Sequence, residues 1–365
     1  MGGCMEYFNE ESYDWRLSNC CQFHNKELAK KYNFNTCTRT YALAEGGKEK
    51  VLTRALGNAK KLELAMNEYY ANQPKEKRSF RVSTNMFPVY TWPAITPWFK
   101  EIEEELSIAM KKAGDAAKKH QVRLSVHPGQ YTVMASTSKD VVEKSIVDLE
   151  YHALLGQMLG LEPEDFSVNI HLQGLYGGKH EDGIKRFATN YQYLSDYAQK
   201  CLSVENEDKP NGYDIVHTLE LAQRVPIRCT LDTHHFDCHR MVETERIKVG
   251  EKQVNRKVRE VDHITATSDL FKEAVKSWKG IRPLFHTSQS FPPENQAYWM
   301  KCNAHSDLFW DEEHMSRHVP MLQYADFDVE AKNKEVAVDG FYNYIMAESD
   351  FAGEQLQAKR IPNEW

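Results

Sequence analysis

Ser125-Val126-His127-Pro128-Gly129-Gln130-Tyr131 is the stretch on which the reading of this sequence turns. The residues before and into it, Val122-Arg123-Leu124-Ser125-Val126, alternate apolar and polar side chains as a short strand does. His127 ends the alternation, Pro128-Gly129 breaks the strand, and Gln130-Tyr131 follow on the loop. A potential metal ligand at a strand's end, with a polar and an aromatic residue just past it, suggests a site at the mouth of a barrel.

The arrangement repeats outward from there. The pattern predicts strands at 14–20, 79–83, 122–126, 167–170, 202–204, 227–231 and 283–285, with a last one inside 319–327. Helices are expected at 47–70, 97–120, 138–159 (capped by Ser138), 182–200, 213–224, 268–278 and 329–347, with a short one inside 289–308. Alternation on this scale favours a parallel sheet covered by helices. It reads as an α/β chain forming one (β/α)₈ TIM barrel domain over residues 1–365, with strand C-termini at the functional end. An open doubly wound sheet is disfavoured because no glycine-rich phosphate loop follows any strand. One insertion, 240–262, lies between the sixth strand and its helix and holds seven basic and five acidic residues. It reads as a solvated, locally helical flap, or as an arm touching a polyanion.

Composition narrows the class. With 41% hydrophobic and 27% charged residues in 365, the chain reads as soluble and globular. No apolar run approaches the ~18 residues of a membrane span, and the N-terminus shows no signal-peptide core. Eight cysteines with no Cys-x-x-Cys pair read as reduced thiols of a cytoplasmic protein, or a nuclear one in a eukaryotic host. A net charge of −7 argues against bulk non-specific nucleic-acid binding, yet leaves room for a local basic groove around an acidic metal centre.

The strand ends carry the chemistry. His127, His171, Glu205, Asp232 (with His234 and His235 just after), His286 and Glu330 all fall at or just beyond expected strand C-termini. Each has a structural alternative: a histidine can be a hydrogen-bonded residue, Asp232 can cap a helix, and Glu330 can sit in the first turn of the last helix. Together on one rim they read as a metal cluster. Imidazole and carboxylate ligands suit Zn²⁺ or Mn²⁺, and their number implies two or three ions, with Glu205 able to bridge a pair. Tyr176-Gly177-Gly178-Lys179, after the fourth strand, is either a plain turn or a phosphate contact through Lys179. Gln130-Tyr131 is either a capped turn or a pair that enters a duplex and fills a gap left by displaced bases.

At this point the chain resembles the UV damage endonuclease family. The matching segments are Arg16-Leu17, Phe80-Arg81-Val82-Ser83 with Met86-Phe87-Pro88, the His127 segment, Asp148-Leu149-Glu150-Tyr151-His152, Ile170-His171, and Tyr176-Gly177-Gly178-Lys179. Glu205-Asn206-Glu207-Asp208, Leu231-Asp232-Thr233-His234-His235, His286-Thr287-Ser288, Ala304-His305-Ser306-Asp307 and Glu330-Ala331-Lys332-Asn333-Lys334-Glu335 complete the set in the family's order. The resemblance implies a TIM-barrel DNA-repair endonuclease with up to three divalent metals, usually Mn²⁺, with Mg²⁺ or Zn²⁺ as other candidates. It implies incision immediately 5′ to a pyrimidine dimer in double-stranded DNA; the chain itself is expected to be a monomer. Carried across, Glu205, Asp232, His286 and Glu330 resemble the catalytic ligands of one metal. His127 and His171, with Glu205, resemble those of a second, and His235 and His305 those of a third. Gln130 and Tyr131 resemble the lesion-probing pair, with Lys179 on the DNA. The chain departs from the family at Trp92, where a histidine is common, and at Leu284, where a lysine often stands. Asn19 and Phe23 replace a tyrosine and an asparagine linked to lesion recognition. The altered positions near strand one keep open an abasic-site endonuclease without photoproduct activity, and the same barrel with a carboxylate and histidine metal site also supports a metal-dependent sugar isomerase or epimerase.

Overall fold

The alternation around His127 becomes one stave of a parallel barrel in the computed structural model, which describes residues 15–239, 243–249, 252–258, 263–292 and 303–352. In chain order the strands are β1 (Leu17–Cys20), β2 (Ser79–Val82), β3 (Arg123–Val126), β4 (Phe166–His171), β5 (Leu202–Glu205), β6 (Arg228–Thr230), the ribbon pair β7 (Glu243–Val249) and β8 (Lys252–Val258), then β9 (Leu284–Thr287) and β10 (Asp326–Val329). Eight of them form one parallel sheet in the order β6-β5-β4-β3-β2-β1-β10-β9. The ring closes between β6 and β9. There Asp232 pairs with His286, and the His286 N–H donates to the Leu231 carbonyl at 2.9 Å.

Alternation within each strand sorts residues between two layers. Leu124 and Val126 of β3 join the apolar layer beneath the helices, while Arg123 reaches across the interior to Asp326 of β10. The interior is polar from floor to rim. At the floor, the Asp326 carboxylate accepts from Arg123 Nη1 at 2.7 Å, Arg282 Nε at 2.6 Å and the Arg16 N–H at 2.9 Å. Midway, Ser203 Oγ donates to Asn169 Oδ1 at 2.9 Å and receives Thr230 Oγ1 at 3.0 Å. The strand C-termini form the rim.

Four expectations need correcting. The 182–200 helix is two, His180–Tyr191 and Asp196–Cys201, because Ser195 caps a new start by accepting from the Ala198 N–H. Residues 319–323 extend the helical region after Glu312–His318, burying Met321 and Leu322, so the last strand starts only at Asp326 and the last helix at Glu335. The short helix expected inside 289–308 falls on a stretch of which 293–302 lie outside the described residues; at its described edges Ser290 bridges His305. Ser138 sits at the helix N-cap without a side-chain hydrogen bond. The flap at 240–262 is an antiparallel ribbon over its described residues, not a helix, its β-branched Ile247, Val249, Val254 and Val258 suiting a pleated strand. No helix among the described residues is long and apolar enough to cross a membrane.

The floor makes a stability prediction. Burial raises the Asp326 pKa, but Arg282, Arg123 and Arg16 outweigh it and hold the carboxyl below its ordinary range. Asp326→Asn leaves buried guanidinium charge unbalanced and is expected to cost about 3–5 kcal/mol, read as a lower urea midpoint. Because the folded pKa is depressed, this contribution is present above the unfolded value of about 3.9 and lost as pH falls through the folded value. In acid, therefore, the gap between wild type and variant should narrow, and a gap constant with pH would contradict this account.

Candidate metal centre

Glu205 ends β5 with no exposed surface, and the other strand ends converge on it. His127 Nε2 stands 3.1 Å from Oε2, His286 Nδ1 3.2 Å from the same oxygen, and Asn169 Nδ2 donates to it as well. His235 Nδ1 is 3.0 Å from Oε1, and His171 Nδ1 is 3.9 Å from Oε2. Three overlapping groups have ligand atoms within 4.8 Å of one another: His127, Glu205 and His286; His171, Glu205 and His235; and Asp232, His286 and Glu330. His305 lies at the edge, its Nδ1 3.8 Å from Glu330 Oε2.

Local chain geometry puts these groups there. Asp232 follows β6 and caps the helix Thr233–His239 by accepting the His235 N–H at 2.7 Å, which swings His235 toward Glu205. Asn206 ties the ends of β5 and β6 together, donating to the Asp232 carbonyl at 3.0 Å and accepting its N–H at 2.9 Å. Glu330 directly follows β10 rather than opening the last helix. So Asp232 does cap a helix and still offers its second oxygen to the cluster, whereas the helix-dipole alternative for Glu330 does not hold.

Charge balance explains what the cluster needs. Burial opposes ionisation of Glu205, but His286, His171, His127 and His235 together hold its carboxyl well below the usual range. Burial drives His171 down to about 4 against the pull of Glu205, so it is a neutral imidazole near pH 7. Burial disfavours charge on His235 and His286 too, but Asp232, Glu205 and Glu330 overcome it and raise both well above the ordinary value. Protons on these rings thus act as counter-cations to the carboxylates. Divalent ions fit the same place. His171 Nδ1, Asp232 Oδ2 and His286 Nδ1 are buried without hydrogen-bond partners. Outer contacts also fix ring orientation, as metal ligands require: His127 Nδ1 lies 2.9 Å from the Pro128 carbonyl and His305 Nδ1 2.8 Å from the Glu330 carbonyl.

Several contributors escape a reading of the sequence alone. Arg81 of β2 bonds Glu330, lies 3.2 Å from Asp328, and touches Cys20 Sγ. Asp328 is hidden when the last strand is expected to end at 327; its alternation with Phe327 and Val329 is the available signal. Asn169 and Asn206 are neutral residues in or beside ordinary strands, and only the place of Asn206 next to Glu205 in a matching segment draws notice to it.

Beyond the rim, two loops lace together. Gln173 Nε2 donates to the Gln130 carbonyl at 3.0 Å, and Tyr176 Oη to Ser136 Oγ at 3.1 Å. Tyr131 projects with 85% of its surface exposed, and Gln130 and Lys179 are exposed beside it in sequence and on the partner loop. The departures have plain packing. Phe23 belongs to the core, with ring centroids 4.8 Å from Tyr69, 5.4 Å from Tyr32 and 6.0 Å from Phe80. Leu284 is buried in the apolar cluster, Trp92 lies under the Arg39 guanidinium at 5.3 Å, and Asn19 is buried with its amide unpartnered.

Comparison with known proteins bears on the family and the fold. Residues 18–353 match the family described as UV-endonuclease UvdE. The UV DNA damage endonuclease of Bacillus pumilus (strain SAFR-032) is 28% identical over 273 residues, covering 71% of this chain and 72% of that protein. The UV-damage endonuclease of Schizosaccharomyces pombe is 32% identical over 263 residues, 71% of this chain and 39% of that protein. The crystal structure of SacUVDE superposes with a TM-score of 0.71 at 24% identity, covering 93% of this chain and 99% of that one. Endonuclease IV from Thermus thermophilus gives 0.51 at 13% identity, covering 91% and 99%. At those identities the two structures bear on the fold alone.

A metal-binding test follows from the unpartnered atoms. Mn²⁺ at roughly 100 times its Kd should raise unfolding free energy by about 2.7 kcal/mol, and EDTA should reverse this. Glu205→Gln should keep the native circular dichroism but lose most of that increment. A full increment in the variant would remove Glu205 from the ligand set.

Proposed function

Since the chain belongs to the UV-endonuclease UvdE family, we propose that it cuts duplex DNA at the phosphodiester immediately 5′ to a pyrimidine dimer, leaving a 3′-hydroxyl and a 5′-phosphate. The observation that carries this reading is the convergence of His127, His171, His235 and His286 on buried Glu205, beneath a rim whose exposed loops present Gln130 and Tyr131.

The residues sort by role. Glu205, Asp232, His286 and Glu330 would hold one catalytic cation, His127 and His171 with Glu205 a second, and His235 with His305 a third. Divalent ions held there, most simply Mn²⁺, would supply Lewis-acid stabilisation of phosphoryl charge and would lower the pKa of water. The protein's own part is alignment. Arg81 anchors the Glu330 carboxylate, and Asn169 anchors that of Glu205, so neither has to reorganise as charge develops. Lys179 and neighbouring loop residues meet phosphates and give a salt-dependent affinity. Gln130 and Tyr131 enter the duplex where the damaged pair is displaced; an unstacked lesion is cheaper to extrude than sound DNA. A sugar isomerase needs a small closed pocket and has no use for an aromatic residue as exposed as Tyr131.

The test is incision of a duplex carrying one thymine dimer, beside abasic and undamaged duplexes. With Mn²⁺ the dimer strand should be nicked once on its 5′ side, and EDTA or Glu205→Gln should stop it. Replacing both Gln130 and Tyr131 with alanine should lower kcat/KM on the dimer by at least tenfold without loss of metal binding. Cleavage of the abasic duplex alone would restrict the substrate to abasic sites.

A further inference from the structure

The ribbon β7–β8 has two unlike faces. Its register pairs Thr244 with Lys257, Arg246 with Asn255, and Lys248 with Gln253. Directly opposed residues of an antiparallel pair share a face, and successive residues alternate. One face therefore carries Thr244, Arg246, Lys248, Gln253, Asn255 and Lys257: three cations, three neutral polar residues, no acid and no hydrocarbon residue. The other carries Glu243, Glu245, Ile247, Val249, Lys252, Val254, Arg256 and Val258. There two acids offset two bases, and the apolar residues are gathered. A merely solvated hairpin would have no reason to segregate its acids and hydrocarbons onto the same side, least of all in a chain of net charge −7.

The ribbon is rooted at the metal rim. It leaves the chain after the helix Thr233–His239, which carries His235. Where the described chain resumes, His263 Nδ1 lies 2.8 Å from Asp237 Oδ1 in that same helix, and Arg317 Nη2 clamps the other Asp237 oxygen at 2.7 Å. The described chain before and after the ribbon is thus tied to the helix that carries His235.

We propose that the basic face of β7–β8 is a docking arm for the phosphate backbone of duplex DNA flanking the incised site. This rests on the nuclease reading above and extends it to a second, sequence-independent contact. Seven residues at about 3.4 Å each give a ribbon of about 24 Å, comparable with about seven phosphates of one strand at 3.4 Å rise. Arg246, Lys248 and Lys257 neutralise phosphates, while Thr244, Gln253 and Asn255 donate to phosphate oxygens without adding charge.

The test compares full-length wild type, R246Q/K248Q/K257Q, and K252Q/R256Q from the opposite face. Affinity for damaged and for undamaged duplex is measured by fluorescence anisotropy between about 50 and 200 mM NaCl. The triple variant should bind both duplexes more weakly by the same factor, with the salt slope reduced by about 3, or about 1 for each phosphate no longer neutralised. In incision assays its effect should fall on KM rather than kcat, and Mn²⁺ binding should be unaltered. The double variant should keep the wild-type slope. An unchanged slope in the triple variant, or an equal loss per charge in the double variant, overturns the arm while leaving the nuclease reading intact. A wild-type protein that bound no duplex at all would overturn both.

Discussion

A carboxylate shut away from water must find positive charge, and Glu205 is the residue on which this constraint falls hardest. Leaving one such ion uncompensated in a protein interior costs several kcal/mol, so the rim works only if imidazoles from β3, β4, β9 and the helix after β6 arrive together. Asp326 meets the same problem at the opposite end and solves it differently. Arginines, always charged, balance it permanently. Glu205 is balanced by histidines, which can release a proton and accept a cation in its place. One barrel thus holds two buried acidic centres, a fixed one below and an exchangeable one above, which is the usual division between the stabilising and reactive ends of this architecture.

Much of this is legible from residue order. Alternation of apolar and polar residues places a strand without any knowledge of its neighbours, and a strand's end tells which rim a residue joins once the fold is parallel. His127, His171, Glu205, Asp232 and His286 are found that way. The failures share a cause. Val319-Pro320-Met321-Leu322 is apolar enough for a strand, but Met321 and Leu322 enter the core from a helical turn that follows Pro320, and the shifted boundary conceals Asp328. Arg81 looks like any basic residue until β2 is known to lie near the chain's last strand across β1. In 240–262, mixed charges imitate the salt-bridged face of a helix. Only the pairing register shows that Glu243 and Glu245 stand on the other side from Arg246, Lys248 and Lys257.

Charge on this molecule is therefore informative by place rather than by sum. An acidic chain can address a polyanion where its cations are gathered on one surface. Asp326, Asp237 and Glu330 are engaged by arginines as buried as they are, so these pairs cancel within the fold and the sum of charges says little about any one face.

The seam between β6 and β9 gives the centre a second consequence. Most neighbouring staves are joined by a ladder of at least three residue pairs, but here closure relies on the Asp232–His286 bridge and a few bonds such as Thr230 Oγ1 to the Leu284 carbonyl at 3.4 Å. Asp232 and His286 are also two members of one prospective ligand triad. A cation shared by them would act as a clasp across the weakest joint of the cylinder, so that loading the centre and shutting the barrel become a single event.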